Sequence, residues 1–182
     1  MSYNMSFQDG ASFSVNFDDT YELLEEPFDI RPDIIIPPGD YDFREVSVSY
    51  ASNRSASLSG DIQYRDGSFW DGHRKYVTGG LRVRFNEHIA VSGSYERNSV
   101  DLTEGSFVTN LGTVNLDWSF TPRMFLNAFV QYNSDTDAWL SNIRFNLIHR
   151  PLSDVFIVWN ETRQSGLTLR SVIVKYTHMF SF

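Results

Sequence analysis

Apolar and polar residues alternate with a period of two along most of the chain. The clearest run is Ser55–Tyr64, in which the even positions are apolar or glycine and the odd positions are polar. This alternation places successive side chains on opposite faces of a β-strand. The pattern therefore predicts strands that have one apolar and one polar face, and no helical period competes with it.

The same alternation predicts about eleven strands, several of which have the roughly 9 to 11 residues that a tilted strand needs to cross a membrane. These features predict an all-β fold, an antiparallel up-and-down transmembrane β-barrel of 10 to 11 strands that forms one domain over residues 1–182. The predicted strands are Tyr3–Gln8, Ala11–Phe17, Gly39–Ala51, Ser55–Tyr64, Val77–Phe85, His88–Glu96, Thr113–Phe120, Phe125–Asn133, Trp139–His149, Val155–Asn160 and Arg170–Phe182.

Short and long connections are predicted to alternate along the chain. Outer-membrane barrels have short periplasmic turns and longer external loops, so this alternation is typical of them. The longer loops are predicted at Asp18–Pro38, Arg65–Lys75, Arg97–Ser106, Ser134–Asp137 and Glu161–Leu169.

The last predicted strand places Tyr176, Phe180 and Phe182 on one face, and Phe182 is the last residue. A terminal aromatic residue after an alternating strand resembles the signal that delivers barrels to the outer-membrane assembly machinery. If Phe182 lies in the periplasm, counting the eleven strands backwards places the start of Tyr3–Gln8 on the outer side of the membrane. Bacterial single-chain barrels instead have an even number of strands, with both termini on the periplasmic side. Two alternatives follow: the chain is the C-terminal part of a longer barrel, or Tyr3–Gln8 does not span and ten strands do.

Composition narrows the classes of protein further. The net charge is −8 and the 15 Lys and Arg residues are scattered, which argues against nucleic-acid binding. Cysteine is absent, which excludes zinc–thiolate sites and disulfides. No apolar run approaches the roughly 20 residues of a membrane-spanning helix, and the first residues lack the features of a secretory signal.

If the apolar faces contact lipid, the charged and amide side chains of the opposite faces point into a lumen. Opposed charges would then form a ladder in a narrow barrel or line an aqueous path in a wide one. The lumen-facing candidates are Asp61, Gln63, Arg82, Arg84, Glu96, Asp117, Arg144 and Lys175. Aromatic residues near predicted strand ends are candidates for interfacial girdles. They are Tyr50, Tyr64, Tyr95, Trp118, Phe120, Tyr132 and Trp139.

No catalytic or metal site is recognisable in the sequence. The four histidines do not have metal-ligand spacing, and no glycine-flanked serine nucleophile occurs. Asp66 and Asp71 flank Phe69-Trp70, where they are predicted to shape a solvated turn rather than to form an acid/base pair. The sequence therefore predicts no enzyme, no metal and no cofactor.

Several stretches resemble the C-terminal barrel of a large bacterial family, the domain of unknown function 5916. The resemblance rests on SNIRFNLIHRPLSDVFIVWNE at Ser141–Glu161 and RSVIVKY at Arg170–Tyr176, with FDIRPDIIIPPGDYDF, LSGDIQYRDGSFWDGHR and VQYNSDTDAWLSNIRF also similar. Members of that family commonly carry a carbohydrate-binding-module family 9-like domain before the barrel and are often labelled membrane-associated hydrolases. The resemblance implies an upstream carbohydrate-binding domain in the same precursor and no catalytic residues in this chain.

The leading hypothesis is an integral barrel in the outer membrane of a Gram-negative bacterium. It would act as a passive porin-like pore or as the anchor of an upstream domain, with the lipid bilayer and the assembly machinery as partners. One alternative is a soluble ligand-binding barrel with its apolar face inward. Another is the barrel part of an envelope hydrolase.

Overall fold

The computed structural model describes residues 1–179 and contains thirteen strands. They are β1 (Ser2–Ser6), β2 (Ser12–Leu24), β3 (Phe28–Arg31), β4 (Ile34–Ile36), β5 (Gly39–Ala51), β6 (Leu58–Phe69), β7 (Gly72–Arg84), β8 (Ile89–Leu102), β9 (Gly105–Thr121), β10 (Met124–Asn133), β11 (Ala138–Arg150), β12 (Ser153–Gln164) and β13 (Leu167–Thr177). No helix in the described residues is long and apolar enough to cross a membrane.

Eleven of the strands form one up-and-down sheet in the order β1-β2-β5-β6-β7-β8-β9-β10-β11-β12-β13, and β3 pairs with β4 in a separate hairpin. Each register that the structure defines is antiparallel. The predicted antiparallel all-β fold and its eleven strands are thus confirmed. Within residues 1–179, β1 and β13 stand at the two ends of the order, and no ladder between them closes the sheet.

Strand register brings together apolar residues on one face of β10, β11 and β12 and several polar residues on the other. Ala128 of β10 pairs with Ile143 of β11, which pairs with Trp159 of β12. One position along, Asn127 lies between Asp117 and Arg144. A shift of one residue would exchange the two faces, so this pattern fixes the register.

Strand ends are where the structure departs from the sequence prediction. Strand β5 has its predicted bounds, but β6, β8 and β12 run well past theirs. The predicted long loops at Arg65–Lys75, Arg97–Ser106 and Glu161–Leu169 are two-residue connections between strands, so the predicted alternation of short and long connections is wrong. The added strand segments carry polar residues on both faces. The added segments of β6 and β12 lack the period of two, although their backbone ladders continue. In β8 the period continues, but Val100 and Leu102 take the positions that are polar earlier in the strand.

The hairpin of β3 and β4 lies inside the segment that the sequence predicts as the loop Asp18–Pro38. Ile34 and Ile36 are buried, whereas Ile35 between them is exposed. Together with Tyr41, Val100 and Leu102, these two isoleucines form a hydrophobic cluster, which we call the hairpin cluster. Burial alternates with a period of two in β4, but a strand of three isoleucines is too short for this period to be recognised in the sequence.

The chain forms two compact units. Unit 1 comprises residues 1–79 and 96–110 and contains the hairpin cluster. Unit 2 comprises residues 80–95 and continues from residue 111. Strand β1 in unit 1 has five residues, fewer than the roughly 9 to 11 that span a membrane. Of the predicted assembly signal, Tyr176 lies in β13, whereas Phe180 and Phe182 lie outside the described residues.

Candidate functional site: a polar face and an aromatic pocket

Side chains of the two faces have opposite chemistry along the eleven-stranded sheet. Large apolar residues on one face are exposed: Leu58 by 60%, Val114 by 52% and Val172 by 65%. We call this the apolar face. The opposite side, the polar face, carries mainly hydroxyl, amide and charged side chains, which bond to one another between strands.

The eight lumen-facing candidates lie at polar-face positions of the strands. Asp117 is brought together with Arg82, whose Nη2 is 3.7 Å from its carboxylate, and with Asn127, whose Nδ2 donates to it at 2.8 Å. Arg144 lies over the ring of Phe156 at 5.5 Å. Asp61 and Gln63 of β6 pair with Ala51 and Ser49 of β5, and Lys175 of β13 pairs with Phe156 of β12. Arg84 in β7 and Glu96 in β8 are placed on the polar face by the alternation of apolar and polar residues in those strands.

Most cross-strand bonds on the polar face join neutral groups rather than opposed charges. Ser14 and Ser49 are hydrogen-bonded at 2.6 Å, and Ser94 and Thr113 at 2.5 Å. Asn160 accepts a bond from Asn142 and donates one to Ser171, which links three strands. Neutral groups of this kind remain compatible with water and need no counter-ion.

A charged cluster in unit 1 escapes the sequence prediction. Glu45 is 17% exposed in its side chain and pairs with Arg74 at 2.7 Å and Arg65 at 3.8 Å. The two arginines also lie over aromatic rings, Arg74 over Phe69 at 4.7 Å and Arg65 over Tyr76 at 5.6 Å. Arg65 continues the odd positions that hold Asp61 and Gln63, so extending that run by two residues would have found it.

Trp70 is the centre of an aromatic group at one end of unit 1. Its ring centroid lies 5.1 Å from that of Tyr41, 5.3 Å from Phe43 and 5.7 Å from Phe28. The backbone of Trp70 has a φ of 52°, which is uncommon for a bulky residue and costs on the order of 1–3 kcal/mol. Trp70 and Asp71 form the two-residue turn between β6 and β7, and tight turns of this kind require a positive φ.

Two glycines beside this turn allow neighbouring strands to approach closely. A Cβ on Gly67 would lie 2.2 Å from the carbonyl oxygen of Arg44, and a Cβ on Gly72 would lie 2.0 Å from that of Asp101. Any larger residue would push the backbones apart. The glycines therefore set the position of Trp70 from both sides.

The aromatic group forms one wall of a pocket of about 460 Å³ in unit 1. Asp18, Glu22 and Glu45 contribute three carboxylates to its lining, and Arg74 contributes the one guanidinium. A volume of this order suits a small molecule, and rings beside carboxylates favour cationic or neutral guests over anions. We call this the aromatic pocket.

The predicted girdle residues all lie on the apolar face, but two of them, Tyr64 and Tyr95, do not lie near strand ends. The ring centroids of Trp118 and Phe120 are 4.2 Å apart near the end of β9, and those of Tyr132 and Trp139 are 4.7 Å apart beside the β10–β11 turn; both ring pairs are tilted. Tyr50 is also near a strand end. Tyr64 and Tyr95 lie in the middle of β6 and β8, because both strands continue past the predicted ends.

The acids beside Phe69-Trp70 do not form a pair. Asp66 bonds to Tyr64 and His73, and Asp71 lies in the two-residue turn. Within residues 1–179, no group of three His, Cys, Asp or Glu residues is placed to hold a metal ion.

No family model matches the sequence, and no curated protein matches it. Solved structures that are similar to the chain include two porins. A KdgM porin in complex with disordered oligogalacturonate has 12% identity and a TM-score of 0.40, and a KdgM porin has 11% identity and a TM-score of 0.42. Each alignment covers 99% of this chain and 90% of the other.

Proposed function

We propose that this chain is an integral outer-membrane protein that forms a passive pore for small hydrophilic solutes. The exposure of large side chains on the apolar face, among them Leu58, Val114 and Val172, carries the proposal. Exposed apolar area costs about 25 cal/mol per Å² in water, and a contiguous exposed patch marks a surface that meets lipid or another protein.

The apolar surface of unit 2 has the continuity that contact with hydrocarbon requires. Four neighbouring strands contribute it, and each of them has at least ten residues, enough to span a bilayer. Its central members are Val114, Leu116, Leu126, Ala128, Val130, Ile143, Phe145, Leu147, Val155 and Ile157.

The polar face supports passage of solutes rather than anchoring alone. Hydroxyl and amide groups recur on it in both units, and water is the medium in which their remaining hydrogen-bonding capacity is satisfied. A soluble barrel with its apolar face inward would instead bury residues such as Leu58 and Val172, which are exposed here. Delivery by the assembly machinery and an upstream domain remain predictions from the sequence.

The aromatic pocket gives the proposed pore a charge preference. Its three carboxylates outnumber its one guanidinium, so a cation gains attraction where an anion meets repulsion. We propose that the path favours cationic and neutral solutes over anionic ones.

Asp18 and Asp19 provide a matched pair for the test, since they are adjacent and lie on opposite faces. Asp18 lies opposite Glu45 and lines the aromatic pocket, whereas Asp19 lies opposite Arg44 on the apolar face. The purified chain is inserted into a planar lipid bilayer and its reversal potential is measured in a salt gradient. Asp18→Asn is expected to lower the cation preference, and Asp19→Asn is expected to leave it unchanged.

Two results would contradict the proposal. Insertion into the bilayer without conductance above that of bare lipid would refute the pore and leave a membrane anchor. Equal shifts from Asp18→Asn and Asp19→Asn would refute the assignment of the polar face to the conducting path.

A further inference from the structure

A charged group interrupts the apolar face of unit 2 near the β12–β13 turn. Glu161 lies between Ser141 of β11 and Arg170 of β13, and Arg163 lies two residues further along β12. One row nearer the middle of the strands, Ile143, Trp159 and Val172 are apolar. The group thus stands where the continuous apolar surface ends.

Glu161 holds both arginines through the same kind of contact. Its side chain is 6% exposed, its Oε2 accepts a bond from Arg170 Nε at 2.6 Å, and its Oε1 accepts one from Arg163 Nε. Each arginine contacts Glu161 through Nε, so these contacts leave the edge formed by the two terminal nitrogens of each guanidinium unused. Within residues 1–179, neither guanidinium has another hydrogen-bond or ion-pair partner.

The free edges of these guanidiniums remain accessible. The side chains of Arg163 and Arg170 are 59% and 61% exposed. Two arginines against one glutamate leave the group with a charge of +1, in a chain whose net charge is −8. A guanidinium edge with two N–H donors matches the oxygens of a phosphate, to which arginine binds bidentately.

The surroundings of the group favour a phosphate carried by a lipid. Trp139 lies opposite Arg163 in the register, and it lines a shallow pocket together with Trp159, Glu161 and Arg163. Tryptophan is enriched at the level of lipid head groups, where its ring contacts apolar chains and its N–H contacts water. A free phosphate ion would use the guanidiniums but gain nothing from the two indoles.

We infer that Arg163 and Arg170, positioned by Glu161 and flanked by Trp139 and Trp159, bind the phosphate head group of an anionic membrane lipid. The inference rests on the proposed function, because it requires the apolar face to contact the bilayer. Arg163 and Arg170 contact the ligand, and Glu161 is a positioning residue.

The chain offers a control arginine on the apolar face of unit 1. Arg44 has a side chain that is 75% exposed and pairs with Asp19 at 3.4 Å. Asp42 lies two residues away on the same face of β5, so acids outnumber the arginine there. Replacing Arg44 removes the same charge from the protein without touching the proposed site.

The test measures binding of phosphatidic acid to the full chain in uncharged detergent micelles by calorimetry, with inorganic phosphate as a separate titrant. The variant Arg163→Gln with Arg170→Gln is expected to bind phosphatidic acid on the order of tenfold more weakly, since hydrogen bonds to charged groups are lost. Arg44→Gln is expected to bind like the unaltered chain. Arg163→Lys with Arg170→Lys keeps both charges and is expected to fall between the two.

Insertion into phosphatidylcholine vesicles is measured in parallel by protease protection, so that the two proposals are tested separately. If the chain inserts but the double glutamine variant binds phosphatidic acid unchanged, the head-group site is refuted and the membrane proposal stands. Equally tight binding of inorganic phosphate would overturn the assignment to a lipid. A chain that does not insert at all would refute the proposed function.

Discussion

The hairpin cluster and the apolar face contain the same kinds of residue in opposite environments. Ile36 of the cluster is 0% exposed, whereas Val114 and Val174 of the apolar face are 52% and 65% exposed. Burial from water explains the first group completely. Exposure of the second group to water is unfavourable, so we expect these side chains to contact lipid instead. The comparison shows that composition alone does not distinguish a buried core from a lipid-facing surface.

The largest expected effect comes from the hairpin cluster. Ile36→Ala leaves a cavity among Ile34, Tyr41, Val100 and Leu102, and such changes cost about 2–5 kcal/mol. Hydrogen exchange of the amides in residues 34–41 measures the free energy of local opening. Ile35→Ala is the control, because Ile35 is 48% exposed, and equal losses in the two variants would show that the cluster does not stabilise the hairpin.

A charge on the apolar face is expected to cost nearly as much, but only in a bilayer. Val174→Arg places a guanidinium in hydrocarbon, which costs about 2–4 kcal/mol near the midplane of the bilayer. Ser171→Arg on the polar face of the same strand is expected to cost less than half of that. Unfolding by urea in phospholipid vesicles measures both, and the reverse order would contradict the assignment of the two faces.

The smallest effect is expected from the ion pair that Arg82 and Asp117 form on the polar face. Arg82 and Asp117 are each about half exposed, so water screens their attraction and the coupling energy is expected to be about 0.2–1 kcal/mol. A double-mutant cycle with Arg82→Gln and Asp117→Asn, unfolded by urea, gives this value. A coupling of several kcal/mol would mean that this part of the polar face is dry.

The sequence is informative wherever one strand face is apolar. Leu58, Ile62 and Tyr64 alternate with Ser59, Asp61 and Gln63, and the structure places the two sets on opposite faces. The extension of β6 over Arg65–Phe69 was not predictable in this way, because polar residues occupy both of its faces. Arg65 of the charged cluster around Glu45, and Ser68 and Phe69 of the aromatic pocket, lie in that extension, which is one reason that the sequence analysis missed both features.

The hairpin of β3 and β4 is packed through contacts between residues that are distant in the sequence. Ile34 and Ile36 meet Val100 and Leu102 more than sixty positions further along the chain. No local pattern reports such a contact. The positive φ of Trp70 could not be predicted from the sequence either, because bulky residues such as tryptophan rarely adopt that conformation.

Labels on single introduced cysteines can show directly whether the apolar face contacts lipid or water, because the chain has no cysteine of its own that would also be labelled. Val114→Cys and Asn115→Cys place single thiols at adjacent positions of β9 that face opposite ways. Each variant is labelled with a polarity-sensitive fluorophore and reconstituted in lipid vesicles. A lipid-resident nitroxide is predicted to quench the label at position 114 and aqueous iodide the label at position 115, and the opposite pattern would contradict the account.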